Sequence, residues 1–570
     1  MANSTLLTGL SWIETKKTMM KLCFLCALAV SASSLGAQET VTVTVDARKS
    51  VGPNRPVWAY FGYDEPNYTT AKNGRKLIQE LVDLSPVPVS IRVHNLLTTG
   101  DGKPSLKWGS TNAYTEDASG KPVYDWSIVD RILDTFVDSG AKPFVEVGFM
   151  PEVLSTHPDP YRHKFPKEKN VFTGWSYPPN DYAKWDELIY RWAQHCGEKY
   201  GKARAESWEW EVWNEPNIGY WHGTPEEYNK LYDHTVAAIR RALPGAKVGG
   251  PATTGPGDAK AAAFLRQFLE HCLSGKNDVT GKTGAPLDFI SFHAKGSPKI
   301  NEGQVRMGMA KHMKDISNGF DIVRSFSKYK DLPIVLSESD PEGCAACSLP
   351  QNAYRNGTLY AVYMAASLNG AMQLARKTGA NLEGFLTWAF EFEDQPYFAG
   401  LRSLATNGVD QPVLNVFRMR GMMRGDFIQA KSDRAVSIDA MVTEPVTTPK
   451  TDAIATHTDH DVSVMLWNYQ DQDRTDSSST VNLNVTGLPN DAKRVLLRHF
   501  RIDADHSNSY NAWKAMGSPQ APSAEQIAKL QAVGQLQLLE SPRYIDAKSG
   551  GAELKFALPV QGVSLVQLSW

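Results

Sequence analysis

The sequence is nearly without net charge: 60 basic and 62 acidic side chains leave −2 over 570 residues. Nucleic-acid binders carry a basic face or stripe, so a nucleic-acid partner is set aside. Cysteine is scarce, with six in all. Cys23 and Cys26 fall in an N-terminal apolar run, which leaves Cys196, Cys272, Cys344 and Cys347. Four cysteines allow three full pairings, and sequence does not choose among them. No phosphate-cradling GxGxxG or GxxxxGK run follows the early strands, which weighs against a doubly wound nucleotide-binding sheet. Internal repeats and low-complexity linkers are also missing. Long apolar runs are lacking too. The one at Leu22–Val30 is too short to span a bilayer. Lys16, Lys17 and Lys21 precede it and Leu35-Gly36-Ala37 follows, which is the order of a secretory signal. We therefore expect residues 1–37 to be a signal peptide, with 1–18 an upstream extension if Met19 or Met20 is the start. The mature chain would be secreted or periplasmic, with no membrane anchor.

What is present is ordinary for a globular protein: 42% hydrophobic and 21% charged residues. Aromatics are plentiful, with 15 Trp and 21 Tyr, and their faces can stack on sugars or fill cores. Short apolar runs read as eight strands: Val57–Phe61, Val89–Val93, Phe144–Gly148, Trp208–Trp213, Ala246–Gly249, Asp288–Phe292, Pro333–Ser337 and Phe385–Trp388. Amphipathic helical patterns lie between several of them. Ile128, Ile132, Leu133 and Phe136 share one face, as do Tyr182, Trp185, Leu188, Ile189, Trp192 and Cys196. Strands alternating with helices imply a parallel sheet, and eight such units imply an α/β fold of the (β/α)8 TIM-barrel type over residues 54–420. After about residue 420 the pattern becomes strands separated by turns, with one helical insert near Ala524–Val533. That predicts a C-terminal β-sandwich over 421–570, which the alternating strand at Val41–Val45, within 38–53, would join.

Barrel enzymes carry their chemistry at the C-terminal ends of the strands. The fourth strand runs into Trp213-Asn214-Glu215-Pro216 and the seventh into Ser337-Glu338-Ser339-Asp340. Strands four and seven face each other across the barrel. Two carboxylates held across its mouth suit glycoside hydrolysis, in which one attacks the anomeric carbon and the other gives and takes a proton. A lone strand-end glutamate is more often a salt-bridge partner; Glu209 and Glu211 are read that way, bonded to arginine or backbone. Asn214 offers an amide to a sugar hydroxyl. Arg92 is expected to orient a catalytic carboxylate with its fork of donors. His94, His293 and Trp388 also stand at strand ends, where they can meet a sugar or simply pack. Two carboxylates suffice for this reaction, so no metal or organic cofactor is expected. Cys344-Ala-Ala-Cys347 lacks further ligands spaced for zinc and is read as a disulfide stiffening the loop beside Glu338.

The chain resembles glycoside hydrolase family 39. The likeness covers Phe61-Gly62-Tyr63-Asp64-Glu65-Pro66-Asn67, Arg92-Val93-His94, Lys142 to Pro151 and Glu211 to Asn217. It continues through Val248 to Thr253, Asp288 to His293, Arg501 to Asn508 and Trp513 to Pro519. The resemblance implies the barrel and a retaining mechanism, with Glu215 as acid/base and Glu338 as nucleophile. It also implies an exo mode of attack on glycosides or oligosaccharides, centred on β-xylosidase and α-L-iduronidase activities. Xylosidase-like members carry a Tyr two residues after the sixth-strand His, where this chain has Lys295. Iduronidase-like members carry a Lys there that meets the sugar carboxylate. Lys295 with Arg402 could therefore clamp a uronate, or Lys295 could pair with a local carboxylate such as Asp340. A β-xylosidase is the leading expectation. The alternatives are action on a uronide or on another pentoside or hexoside, and more remotely a carbohydrate-binding protein without catalysis. Homo-oligomerisation is left open.

Overall fold

The computed structural model describes residues 39–106, 109–163, 171–172, 174–348 and 350–570. The expected signal peptide lies outside them. Eight strands close into a barrel: Tyr60–Tyr63, Ser90–Val93, Lys142–Val147, Glu209–Val212, Lys247–Thr253, Phe289–Lys295, Ile334–Asp340 and Leu382–Trp388. Each pairs in parallel with its neighbours in sequence, and the eighth closes on the first, with Trp388 beside Gly62. The strands are buried almost throughout, which is why they read as continuous apolar runs rather than alternating ones.

The helices follow their apolar faces. Ser127–Ser139 buries Val129, Ile132, Leu133 and Phe136, and Tyr182–Tyr200 buries Trp185, Leu188, Ile189, Trp192 and Cys196. Asp181 caps the latter by accepting from the backbone of Ala183 and Lys184, and Thr224 with Glu227 forms a capping box on Pro225–Ala242. These two caps end the loops that follow the third and fourth strands, so both loops return to fixed points.

A separate sheet of ten strands gathers the C-terminal region. The N-terminal strand Glu39–Pro53 belongs to it and runs antiparallel to Asp426–Ser432, with Val45 opposite Ala430. Val43, Val45, Val464, Leu466, Val481, Leu483, Val566 and Leu568 share its core. The strand Asp461–Tyr469 serves two cores. Val462, Val464 and Leu466 point into the sandwich, while Met465, Trp467 and Tyr469 join the barrel cluster. This one strand therefore joins both cores, each buried apolar side chain contributing roughly 1.5–3 kcal/mol.

The strand limits differ from expectation in three telling places. The first barrel strand begins at Tyr60 rather than Val57. The seventh extends through Glu338 to Asp340, so Glu338 stands within the strand. The fourth ends at Val212, one residue before the expected Trp213, which turns the chain with φ 73°. Cys344 and Cys347 form a disulfide, whereas Cys196 and Cys272 are buried thiols.

Candidate active site

The loop after the fourth strand is unusual locally. Trp213 and Glu215 both have positive φ, at 73° and 43°, a region costly to side chains of this size. The distortion is held from outside. Trp213 N donates to Val147 O, Glu215 N donates to Ala252 O at 2.9 Å, and the Trp213 indole donates to Tyr220 O at 2.8 Å. The result lifts Glu215 over the barrel mouth with 14% of its side chain exposed.

Glu338 comes from the seventh strand, three places round the barrel from the fourth. One oxygen each of Glu215 and Glu338, together with a ring nitrogen of His293, lie within 4.8 Å of one another. His293 Nδ1 is 2.8 Å from Glu215 Oε1 and 3.7 Å from Glu338 Oε2. Among the described residues these three are the one histidine-carboxylate group close enough to hold a metal ion. Lys295 already places positive charge there, with Nζ donating to Glu338 Oε2 at 2.7 Å.

Arg92 lies fully buried beneath and divides its fork among carboxylates. It donates to Glu338 Oε1 at 3.3 Å, to Glu211 Oε2 at 2.5 Å and to Asn214 Oδ1 at 3.0 Å, and stands 2.8 Å from Glu146 Oε2. Since Arg92 takes the oxygen of Asn214, the amide nitrogen is the group turned to other partners. Burial alone would raise the Glu338 carboxyl, but His293, Lys295, His94 and Arg92 outweigh it and hold it well below the usual carboxylate range. Glu338 is therefore an anion at neutral pH. Burial pushes Glu146 well above that range despite Arg92. His94 touches Glu146 through Nδ1 and is pushed down to about 3 by burial and by Arg92.

Trp388 ends the eighth strand and lies across the bottom of this group. Its ring is 4.4 Å from that of His94, the Arg92 guanidinium sits 5.1 Å from its centroid, and its indole donates to Asp64 Oδ1 at 3.3 Å. Gly62 makes room for it. A Cβ there would meet the Trp388 ring at 2.6 Å and Arg92 O at 2.8 Å. Gly62→Ala is thus expected to tilt the indole, cost about 1–3 kcal/mol of stability and raise KM more than it lowers kcat. Thermal unfolding and steady-state kinetics on the same sample check this.

The structure brings Glu215, Glu338, Asn214, His94, His293, Lys295, Trp388 and Arg92 to one end of the barrel. Arg402 is placed differently. Read as a cation for substrate, it is instead fully buried, donating to Trp388 O at 2.8 Å and to Glu342 Oε1 at 2.8 Å, with Asp340 at 3.6 Å. Glu342 follows Asp340 closely and draws the guanidinium behind the wall. Glu211 meets an arginine as expected, whereas Glu209 pairs with Lys142 at 2.7 Å. Sequence reading gave no role to Glu146 and Asp64, and named Asp340 only as a possible partner of Lys295. Asp340 accepts from Lys295 Nζ at 3.2 Å and from the Trp388 backbone at 3.1 Å. Its signal was visible: a second carboxylate two residues past Glu338, on the same face of a strand.

A family model described as glycosyl hydrolases family 39 matches residues 41–549. The chain belongs to glycosyl hydrolase family 39. It is a glycoside hydrolase, and glycosides are its substrates. It is 26% identical over 514 residues to a β-xylosidase of Geobacillus stearothermophilus, covering 86% of this chain and 88% of that protein. It is 25% identical over 584 residues to the α-L-iduronidase of Mus musculus, covering 96% and 83%. Among solved structures, a β-xylosidase from Caulobacter crescentus superposes with a TM-score of 0.73 at 21% identity, over 93% of this chain and 99% of that one. The family-39 architecture, a TIM barrel with a β-rich domain, is therefore the fold of this chain.

Proposed function

We propose that this enzyme is an exported, retaining exo-glycosidase that cleaves β-D-xylosides by double displacement. The carrying observation is the carboxylate spacing: oxygens of Glu215 and Glu338 lie within 4.8 Å. Retaining enzymes hold their carboxyl groups about 5–5.5 Å apart, and inverting ones about 6.5–9.5 Å to admit a water. Glu338, anionic among cations, is the nucleophile. Glu215, more exposed and bonded to His293, is the acid and then the base. Asn214 and His94 meet sugar hydroxyls over the Trp388 floor. His293 steadies Glu215, and Arg92 aims Glu338 and Asn214.

The glycone preference rests on Lys295. Its ammonium is engaged by Glu338 and Asp340, and Arg402 is consumed by Glu342 and the Trp388 carbonyl. Neither cation of the uronate clamp is turned to substrate, which favours a neutral sugar. The second reading, a uronide, keeps one observation in its favour: Lys295 Nζ does reach the catalytic group. Initial rates on matched aryl glycosides decide it, using β-D-xyloside, α-L-arabinoside, β-D-galactoside, α-L-iduronide and β-D-glucuronide. We expect β-D-xyloside to lead. Cleavage confined to a uronide would mean that Lys295 leaves Asp340 for the sugar, and would overturn the xyloside assignment.

A further inference from the structure

We infer that the outer face of the C-terminal sheet carries a second saccharide site, a groove that seats a chain of a neutral polysaccharide away from Glu215 and Glu338. The inference rests on the chain acting on glycosides, which its family membership establishes, and is independent of the choice between xyloside and uronide.

Two clefts lie on this face. Alternation along Arg494–Ile502 sends Val495 and Leu497 into the sandwich core and leaves Leu496, Arg498 and Phe500 outside it. The register carries that outer face across the neighbouring strands. Leu496 lies opposite Tyr544 on one side and Ser569 on the other, and Ser569 lies opposite Asp461. The first cleft, of about 560 Å³, is lined by Tyr544, Leu496, Ser569 and Trp570. The second, of about 760 Å³, lies where the same face meets the barrel helices Lys72–Asp83 and Pro412–Met422, and is lined by Phe500, Gln567, Asp461, Leu84 and Met422. Ser569 in one cleft and Asp461 in the other are cross-strand partners, and Leu496 and Phe500 stand about 13 Å apart along one strand. The clefts are therefore neighbours on one surface, and together they suit an extended chain rather than a single ring. Both helices end here. Barrel helices run antiparallel to the strands they connect, so their C-terminal ends lie at the opposite end of the barrel from the catalytic carboxylates.

The lining has the chemistry of a neutral, hydroxyl-rich occupant. Tyr544 is 60% exposed, more than any other large apolar side chain among the described residues. The Arg494 guanidinium sits 5.0 Å from its ring centroid and steadies it. A ring held on a strand in this way can stack on the apolar face of a pyranose. Phe500, half-buried, places a second ring in the neighbouring cleft. The side-chain charges cancel. The first cleft sets Asp491 against Lys493 and Arg494. The second sets Glu80, Asp83 and Asp461 against Arg418 and Arg424. A polyanion would call for a surplus of cations, and the groove has none. Exposed Lys493, Arg494 and Arg424 instead supply donors, and exposed Asp491 and Asp83 supply acceptors, for hydroxyls of either sense.

The test is affinity electrophoresis of the full chain in native gels containing arabinoxylan, mixed-linkage β-glucan or polygalacturonate. At least one of the two neutral polymers should retard wild type. Tyr544→Ala should weaken that binding by about tenfold, and Tyr544→Phe should keep it, because the ring and not the hydroxyl makes the contact. Tyr544 is exposed, so both variants should melt near wild type. Wild type with its active site blocked by a 2-deoxy-2-fluoro glycoside should be retarded as strongly as the free enzyme. Loss of retardation on blocking would place the binding in the active site and overturn the groove. So would equal retardation of Tyr544→Ala and wild type, no retardation in either neutral polymer, or retardation in polygalacturonate alone. Size-exclusion chromatography covers the remaining outcome: a wild-type dimer that Tyr544→Ala converts to monomer would assign this face to a subunit contact and also overturn the site. Failure of the xyloside reading is a separate result. Retardation in the glucan alone keeps the groove, and the aryl glycoside rates decide the glycone.

Discussion

Glu338→Gln is expected to reduce kcat by about 10⁴-fold or more on every glycoside, including aryl glycosides with good leaving groups. Glutamine keeps the size of glutamate but cannot displace a leaving group as an anion. The surroundings allow a clean reading, because no cation is stranded. Arg92 retains Glu211 and Glu146, and Lys295 retains Asp340. The variant should therefore fold, with a thermal midpoint near that of wild type. Intact-mass analysis gives the second readout: a 2-deoxy-2-fluoro glycoside should label wild type covalently and leave Glu338→Gln unlabelled. Activity within tenfold of wild type, or the same label on the variant, would take Glu338 out of the nucleophile's role and point to Asp340 or to attack by water.

How much of this was legible in the sequence depends on distance along the chain. The eight barrel strands could be read because each is a short run buried on both faces between amphipathic helices, a pattern local to about thirty residues. Their ends could not, since they depend on partners elsewhere. Trp213 leaves the fourth strand early because Val147, Tyr220 and Ala252 hold the following turn. The proposed catalytic pair, Glu215 and Glu338, drew notice because Trp-Asn-Glu-Pro is distinctive and the seventh strand also carries a glutamate towards its end. What lay hidden was the assignment of cations to anions. Around Arg92 stand Glu146, Glu211 and Glu338, from three strands, and no spacing in the sequence says which carboxylate takes which donor. Arg402 was misplaced for that reason. Its register suggests the barrel mouth, but Glu342, sixty residues earlier, binds it first.

Glu215→Ala should separate two substrate classes. An acid contributes about 10²–10⁴-fold where the leaving oxygen needs a proton, so a disaccharide should lose that much. A dinitrophenyl glycoside departs unaided, so its first step should survive. The second step then becomes limiting, since nothing remains to activate water against the glycosyl-enzyme. The kinetic signature is a burst of one equivalent of phenol followed by slow turnover with a low KM. Removing the side chain also opens the space between His293 Nδ1 and the sugar, where Glu215 Oε1 stood 2.8 Å away. Azide fits there and needs no base, so it should speed turnover of the dinitrophenyl glycoside and yield a glycosyl azide of the same anomeric configuration as the substrate. That configuration bears on the spacing argument. A retained azide requires attack on a covalent intermediate formed by Glu338, as the 4.8 Å approach of the two carboxylates implies. An inverted azide would mean single displacement, and the short spacing would then belong to a pair that closes only without substrate. Equal loss on both substrates with no rescue would remove Glu215 from proton transfer altogether.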